Sequence, residues 1–151
     1  STMASAESCI FCKLVSGEIP NDTLYEDSQI LATLDVDWAV KGHALVIWKQ
    51  HVLNASELKI EEFLHFSRVY YLVEKALLEV LDLDRAITLK IGSLVPHFHH
   101  HIYPISQQHS WPEVKAVIEK PILNPYKSKP GEKEELIARV REVLSKNQVP
   151  T

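Results

Sequence analysis

At 151 residues, with 46% hydrophobic and 24% charged side chains, the chain has the size and composition of one globular domain built on a single core. A formal net charge of -4 argues against polyanions such as nucleic acid held by bulk attraction, and four glycines leave no Gly-rich phosphate loop, so any phosphate site has to be local. No apolar run reaches the roughly 18 residues of a membrane span, and no internal repeat or low-complexity tract is present.

Residues 1–8 lack the apolar stretch of a secretory signal and read as disordered or tag-derived, with Ser1 and Thr2 standing ahead of Met3. The expectation is a cytoplasmic protein with neither nucleic acid nor membrane as partner. The two cysteines, Cys9 and Cys12, are too few for a disulfide framework. They fit a zinc half-site, a redox pair, or two small apolar residues in a turn. A redox pair is expected to open a helix after a buried strand, whereas this one stands at the very start of the fold. For zinc, His51 and His97 are available as the two further ligands.

Two short strands at 23–26 and 29–35, around Asp27-Ser28, read as a hairpin. Asp35 closes the second, as a turn-forming carboxylate or as an acceptor for the two hydroxyls of a ribose. A third strand is expected at 42–48, opening on His43, with Trp48 packing at its end. From Ser56, a plausible N-cap, apolar residues recur at spacings of three and four to Leu81, which predicts one long helix. His65 on that helix has no partner visible in sequence and reads as solvated or capping. A fourth strand at 86–91 leads through Gly92-Ser93-Leu94 toward the histidines, where Gly92 could offer an N–H and Ser93 a hydroxyl to a phosphate. Residues 105–112 read as a polar surface crossing, and 132–144 as an amphipathic helix with Leu136, Ile137, Val140, Val143 and Leu144 on one stripe.

The densest chemistry lies at 96–103, which holds four of the eight histidines in an otherwise apolar run. In an extended strand His97, His99 and His101 share one face and Phe98, His100 and Ile102 the other, with like-facing neighbours roughly 6.5 to 7 Å apart. Three imidazoles at that spacing can surround one phosphate. Buried without function, each ring would need a partner, at a cost of about 1 to 3 kcal/mol per unmet polar group. A metal-binding tract is the other reading of such a cluster.

His97-Phe98-His99-His100-His101-Ile102-Tyr103 resembles the His-φ-His-φ-His-φ-φ signature of the histidine triad (HIT) superfamily of nucleotide hydrolases and transferases, with His100 in place of an apolar residue. Residues 42–51 resemble its Gly-His-x-Leu-Val-Ile-Pro-Lys-x-His segment, with Trp48 in place of Pro, and Val95-Pro96 resembles some bacterial members. The resemblance covers 9–112 and leaves 113–151 as a C-terminal extension. It implies an α+β fold, an antiparallel sheet of about five strands in strand-strand-strand-helix-strand-strand order with one long helix on a face, and a homodimer; the amphipathic stripe at 132–144 adds a C-terminal helix. Cys9, Cys12, His51 and His97 would hold a structural Zn²⁺. His99 would attack the α-phosphorus of a purine nucleotide conjugate and become nucleotidylated, and His101 would hold a phosphate oxygen or protonate the leaving group. His43 would support them, and Asp35, eight residues earlier, would hold the ribose. The substrate class is a dinucleoside polyphosphate, a phosphoramidate or an adenylylated amine.

The sequence departs from the hydrolase branch in having Lys90 where an Asn is common, a short 92–94 connection, and no Arg after the triad strand. A nucleotide-binding regulatory module with little turnover, or a zinc-dependent structural or partner-binding protein, are the alternatives from other classes.

Overall fold

The computed structural model describes residues 9–92, 95–119 and 126–147, so the expectations for residues 1–8 and for the Ser93 hydroxyl lie outside the described residues. The chain is α+β. Helix α1, Ile10–Ser16, leads into strands β1, Asp22–Glu26, β2, Ile30–Leu34, and β3, Ala44–Trp48. Helix α2, Ile60–Leu81, strands β4, Arg85–Leu89, and β5, His99–Ile105, and helices α3, Trp111–Glu119, and α4, Glu132–Lys146, follow. The five strands form one antiparallel sheet in the order β1-β2-β3-β5-β4. The expected strand and helix order is therefore observed.

Strand alternation gives the sheet two faces with different coverings. Ala44, Val46, Trp48, Phe98 and Ile102 pack with Phe66, Val69, Val73 and Leu77 of α2 and with Leu136, Val140 and Leu144 of α4. On the opposite face Leu31, Leu45 and Ile47 pack with Phe11 and Leu14 of α1. The apolar stripe read at 132–144 thus closes the main core. Among the described residues, no helix is long and apolar enough to cross a membrane.

Several local expectations are corrected. Cys9 and Cys12 do not lie in a turn: Cys9 is the N-cap of α1, its Sγ accepting the Cys12 N–H at 3.3 Å, and the helix ends at Gly17, whose φ is 85°. Ser56 does not cap α2; it lies in a short 3-10 turn, Ala55–Glu57, and α2 starts at Ile60 after Glu62 takes the Lys59 N–H at 2.8 Å. Residues 106–110 do run over the surface, mostly exposed, but the segment ends in a helix that its polarity does not suggest: α3 starts at Trp111, opened by a reciprocal pair in which Ser110 N–H donates to Glu113 Oε1 at 3.0 Å and Glu113 N–H to Ser110 Oγ at 3.4 Å. His65 is not merely solvated; its Nε2 lies 2.6 Å from Asp27 Oδ2 in the β1–β2 turn. Finally β5 begins at His99, so His97 and Phe98 precede the strand; Phe98 N–H donates to Val52 O at 2.7 Å and Trp48 N–H to Phe98 O at 3.2 Å.

Candidate functional site

The β3–β5 register sets Ile47 opposite His99 and Leu45 opposite His101, which turns both imidazoles onto the face that α1 covers. The β2–β3 ladder continues one pair beyond Leu34 and Ala44: Asp35 N–H donates to the carbonyl of His43 at 2.9 Å. That pairing carries Asp35 and His43 to the same edge of the cluster. Gly42 makes the preceding turn with φ +84°, a conformation that strains any side chain, and a Cβ there would also force Leu81 Cδ1, 2.7 Å away, to shift. The His43 ring lies against Tyr103, centroids 4.3 Å apart and 26° between planes.

Backbone groups at both ends decide the tautomers of the whole cluster. Ala39 N–H donates to His43 Nδ1 at 3.2 Å, so neutral His43 carries its proton on Nε2. That nitrogen faces His101 Nδ1 at 3.0 Å, which makes Nδ1 the acceptor and leaves the His101 proton on Nε2. His101 Nε2 in turn faces His99 Nε2 at 3.2 Å. At the far end His99 Nδ1 donates to the carbonyl of His97 at 2.5 Å, so the His99 lone pair is on Nε2. One direction of donation runs from Ala39 to His97, with the His99 lone pair and the His101 N–H side by side.

The charge state agrees with this. Burial, reinforced by neighbouring His101, pushes His43 down to about 3, and burial with His99 and His100 pushes His101 down to about 4. Burial also lowers His99. Asp35 is raised, again chiefly by burial; its Oδ1 accepts the Asp37 N–H at 3.1 Å, while Oδ2 lies 3.5 Å from His43 Nε2 and 4.0 Å from His101 Nδ1. At neutral pH the three imidazoles are thus uncharged, each with one donor and one acceptor.

A second cluster lies beside the first. Cys12 Sγ is 3.2 Å from His51 Nδ1 and 3.5 Å from His97 Nδ1; Cys9 Sγ is 3.3 Å from His97 Nδ1, and the two Nδ1 atoms are 3.1 Å apart. A tetrahedron with Zn–S near 2.3 Å and Zn–N near 2.0 to 2.1 Å has edges of about 3.3 to 3.8 Å. His97 Nε2 donates to Trp48 O at 2.6 Å, which leaves Nδ1 unprotonated and aimed at the thiols, as a ligating histidine does when its other nitrogen is held by a carbonyl. Burial and the neighbouring Cys9 push the Cys12 thiol up to about 11; a divalent cation would reverse that and hold both as thiolates. Cys9, Cys12, His51 and His97 can therefore hold a metal ion. Asp35, His43 and His101 also converge, but His43 Nε2 carries the proton there, so a cation does not fit that group.

A family model for the HIT domain matches residues 16–108. The chain belongs to the HIT family. It is 37% identical over 107 residues to Protein hit of Bacillus subtilis, covering 68% of this chain and 74% of that one. It is 40% identical over 101 residues to a protein of Schizosaccharomyces pombe named adenosine 5'-monophosphoramidase hnt1, covering 64% and 74%. Among solved structures, a Zn-bound histidine triad family protein from Mycobacterium smegmatis superposes with a TM-score of 0.71 at 25% identity, over 94% of this chain and 99% of that one.

The remaining sequence candidates of this HIT chain are placed as follows. Gly92 is half-buried with φ +72°, and none of the hydrogen bonds among the described residues ties it to the histidines. Lys90 Nζ donates to Asn54 Oδ1 at 2.9 Å. Trp48 packs in the core, as its position suggested. His100 faces α2, away from the other three, with ring centroids 5.0 Å from Phe66 and 5.6 Å from Tyr70. Sequence reasoning missed the bearing of Phe11 on the site: its ring meets the His99 ring at 4.4 Å and 65°. Its place inside the Cys-x-x-Cys was the available signal.

Proposed function

We propose that the chain hydrolyses a purine nucleotide conjugate at its α-phosphate through a nucleotidyl-His99 intermediate. The observation that carries this reading is the donation chain from Ala39 N–H through His43 and His101, which sets an unprotonated His99 Nε2 beside a His101 N–H. His99 Nε2 attacks phosphorus as the bond to the leaving group breaks. The positive charge that develops on its ring is stabilised by the His97 carbonyl at Nδ1. An anionic phosphate favours a protonated His101, and the Asp35 carboxylate 4.0 Å away balances that charge. His101 gives its proton to the leaving group and recovers one from the water that then opens the P–N bond, releasing the mononucleotide and free His99. Asp35 also retains acceptor capacity for ribose hydroxyls, and Gly92 and Ser93 are offered as phosphate contacts.

Zinc is the metal proposed for Cys9, Cys12, His51 and His97, where it would supply a structural cross-link between α1 and the segments ahead of β5; the Zn-bound mycobacterial relative supports this. A cytoplasmic homodimer, with residues 9–112 as the catalytic domain and 113–151 as an extension, completes the proposal. Incubation with adenosine 5'-phosphoramidate tests it, in view of the yeast relative's name. Release of AMP that is lost in His99→Ala supports hydrolysis, whereas nucleotide binding without release would mark a regulatory binding module.

A further inference from the structure

We propose that Phe11 is a positioning residue for His99: the helix that brings two ligands to the metal-binding cluster also holds the aromatic ring that keeps the His99 imidazole in one orientation. Phe11 lies between Cys9 and Cys12 on α1 and is 7% exposed. Its ring meets His99 at 4.4 Å and 65°, and His97 at 6.1 Å and 89°. His99 itself is 4% exposed. Its ring is bounded along the sheet by the His97 carbonyl at Nδ1 and by His101 at Nε2. A turn about the His99 Cβ–Cγ bond would break both of these contacts. Phe11 adds a third contact, edge-to-face at 4.4 Å between centroids, which such a turn would disturb.

A flip exchanges Nε2 for a carbon, so the lone pair leaves the line of attack. Blocking it therefore acts on the chemical step and leaves nucleotide binding alone. Because α1 has only seven residues, it is too short to hold itself as an isolated helix. Cys9 and Cys12 tie it to His97 and His51, so the ligand set also fixes where the Phe11 ring sits. This rests on His99 being the nucleophile, but the ring orientation can be read without any turnover.

The experiment uses the full zinc-loaded chain with ¹⁵N-labelled histidine, recording long-range ¹H–¹⁵N correlations of His99 and AMP release from adenosine 5'-phosphoramidate. Phe11→Leu keeps the apolar fill and should give two His99 ring forms, with kcat down roughly 10- to 100-fold and KM unchanged. Phe11→Tyr keeps the ring and should show one form and near-original kcat. Leu14→Ala, a buried neighbour on the same helix, should lower stability without splitting His99. A single His99 form with unchanged kcat in Phe11→Leu overturns the proposal, as does Leu14→Ala reproducing both effects. If no AMP is released by any form yet Phe11→Leu splits His99, the positioning role stands and the hydrolase reading falls.

Discussion

His97 and His99 are joined by a hydrogen bond from the His99 Nδ1 to the His97 carbonyl oxygen, 2.5 Å long, while the His97 ring turns its own Nδ1 toward Cys9, Cys12 and His51. One residue therefore belongs to both clusters through different groups. Its ring is available to a cation, and its backbone sets the tautomer of the neighbouring imidazole.

The ligand set makes metal content the first expectation. The purified chain should carry one equivalent of zinc by elemental analysis, and Cys12→Ser should lose it. Removing the cross-link between α1 and the His97 segment should lower stability by more than about 2 kcal/mol in urea titrations. Full stability in a metal-free chain would contradict this.

His43 and Asp35 should separate by kinetics. His43→Ala removes the donor to His101 Nδ1 and should lower kcat roughly 100-fold, the low end of what positioned proton transfer contributes. Asp35→Ala should act mainly on KM if the carboxylate holds ribose. Steady-state rates with adenosine 5'-phosphoramidate distinguish the two.

His100 should be replaceable at a profit to stability. Its Nδ1 has no hydrogen-bond partner among Phe66, Phe98 and Tyr70, and burial, then repulsion by neighbouring His99 and Lys90 when the groups are charged, push the ring down to about 4. The unfolded chain takes up this proton first, near 6.5, so stability is lost as pH falls from there toward about 4. His100→Leu should gain about 1 kcal/mol at pH 7 and flatten that slope. Urea titrations at several pH values across that window provide the check.

Asp27 should matter for folding alone. Burial works against its charge, but hydrogen bonds from Tyr25, Gln29, His65 and Ile30 outweigh it and hold the carboxyl below its usual value. The contribution is complete above the ordinary carboxylate range and lost as pH falls through the lowered value. Asp27→Ala should cost about 2 to 4 kcal/mol, since Tyr25 and His65 both lose their 2.6 Å partner. Denaturant midpoints should move while kcat of the folded fraction does not.

Legibility followed the range of each interaction. The strands and the two long helices could be read because Val46, Phe66, Val69, Val73 and Val140 repeat at the period of the element they build. Helix α1 has seven residues, too few for a period to register, and its signals were a cap at Cys9 and the left-handed Gly17. The Ser110 and Glu113 pair that opens α3 is a Ser-x-x-Glu capping signal in the sequence, which the polarity of 105–112 alone does not reveal. Alternation put His99 and His101 on one face but said nothing of where β5 begins, because the Phe98 hydrogen bonds to Val52 and Trp48 come from distant segments. The Asp27 and His65 contact spans 38 positions and has no local trace.

The proposed hydrolysis turns on the His99 Nε2 bonding to phosphorus. The most direct measurement is the intact mass of the chain, quenched in alkaline denaturant during turnover of adenosine 5'-phosphoramidate. A mass increase of one adenylate, carried on the peptide with His99 and absent from His99→Ala, is the expected result. Turnover without an adduct, or an adduct that survives in His99→Ala, would contradict it.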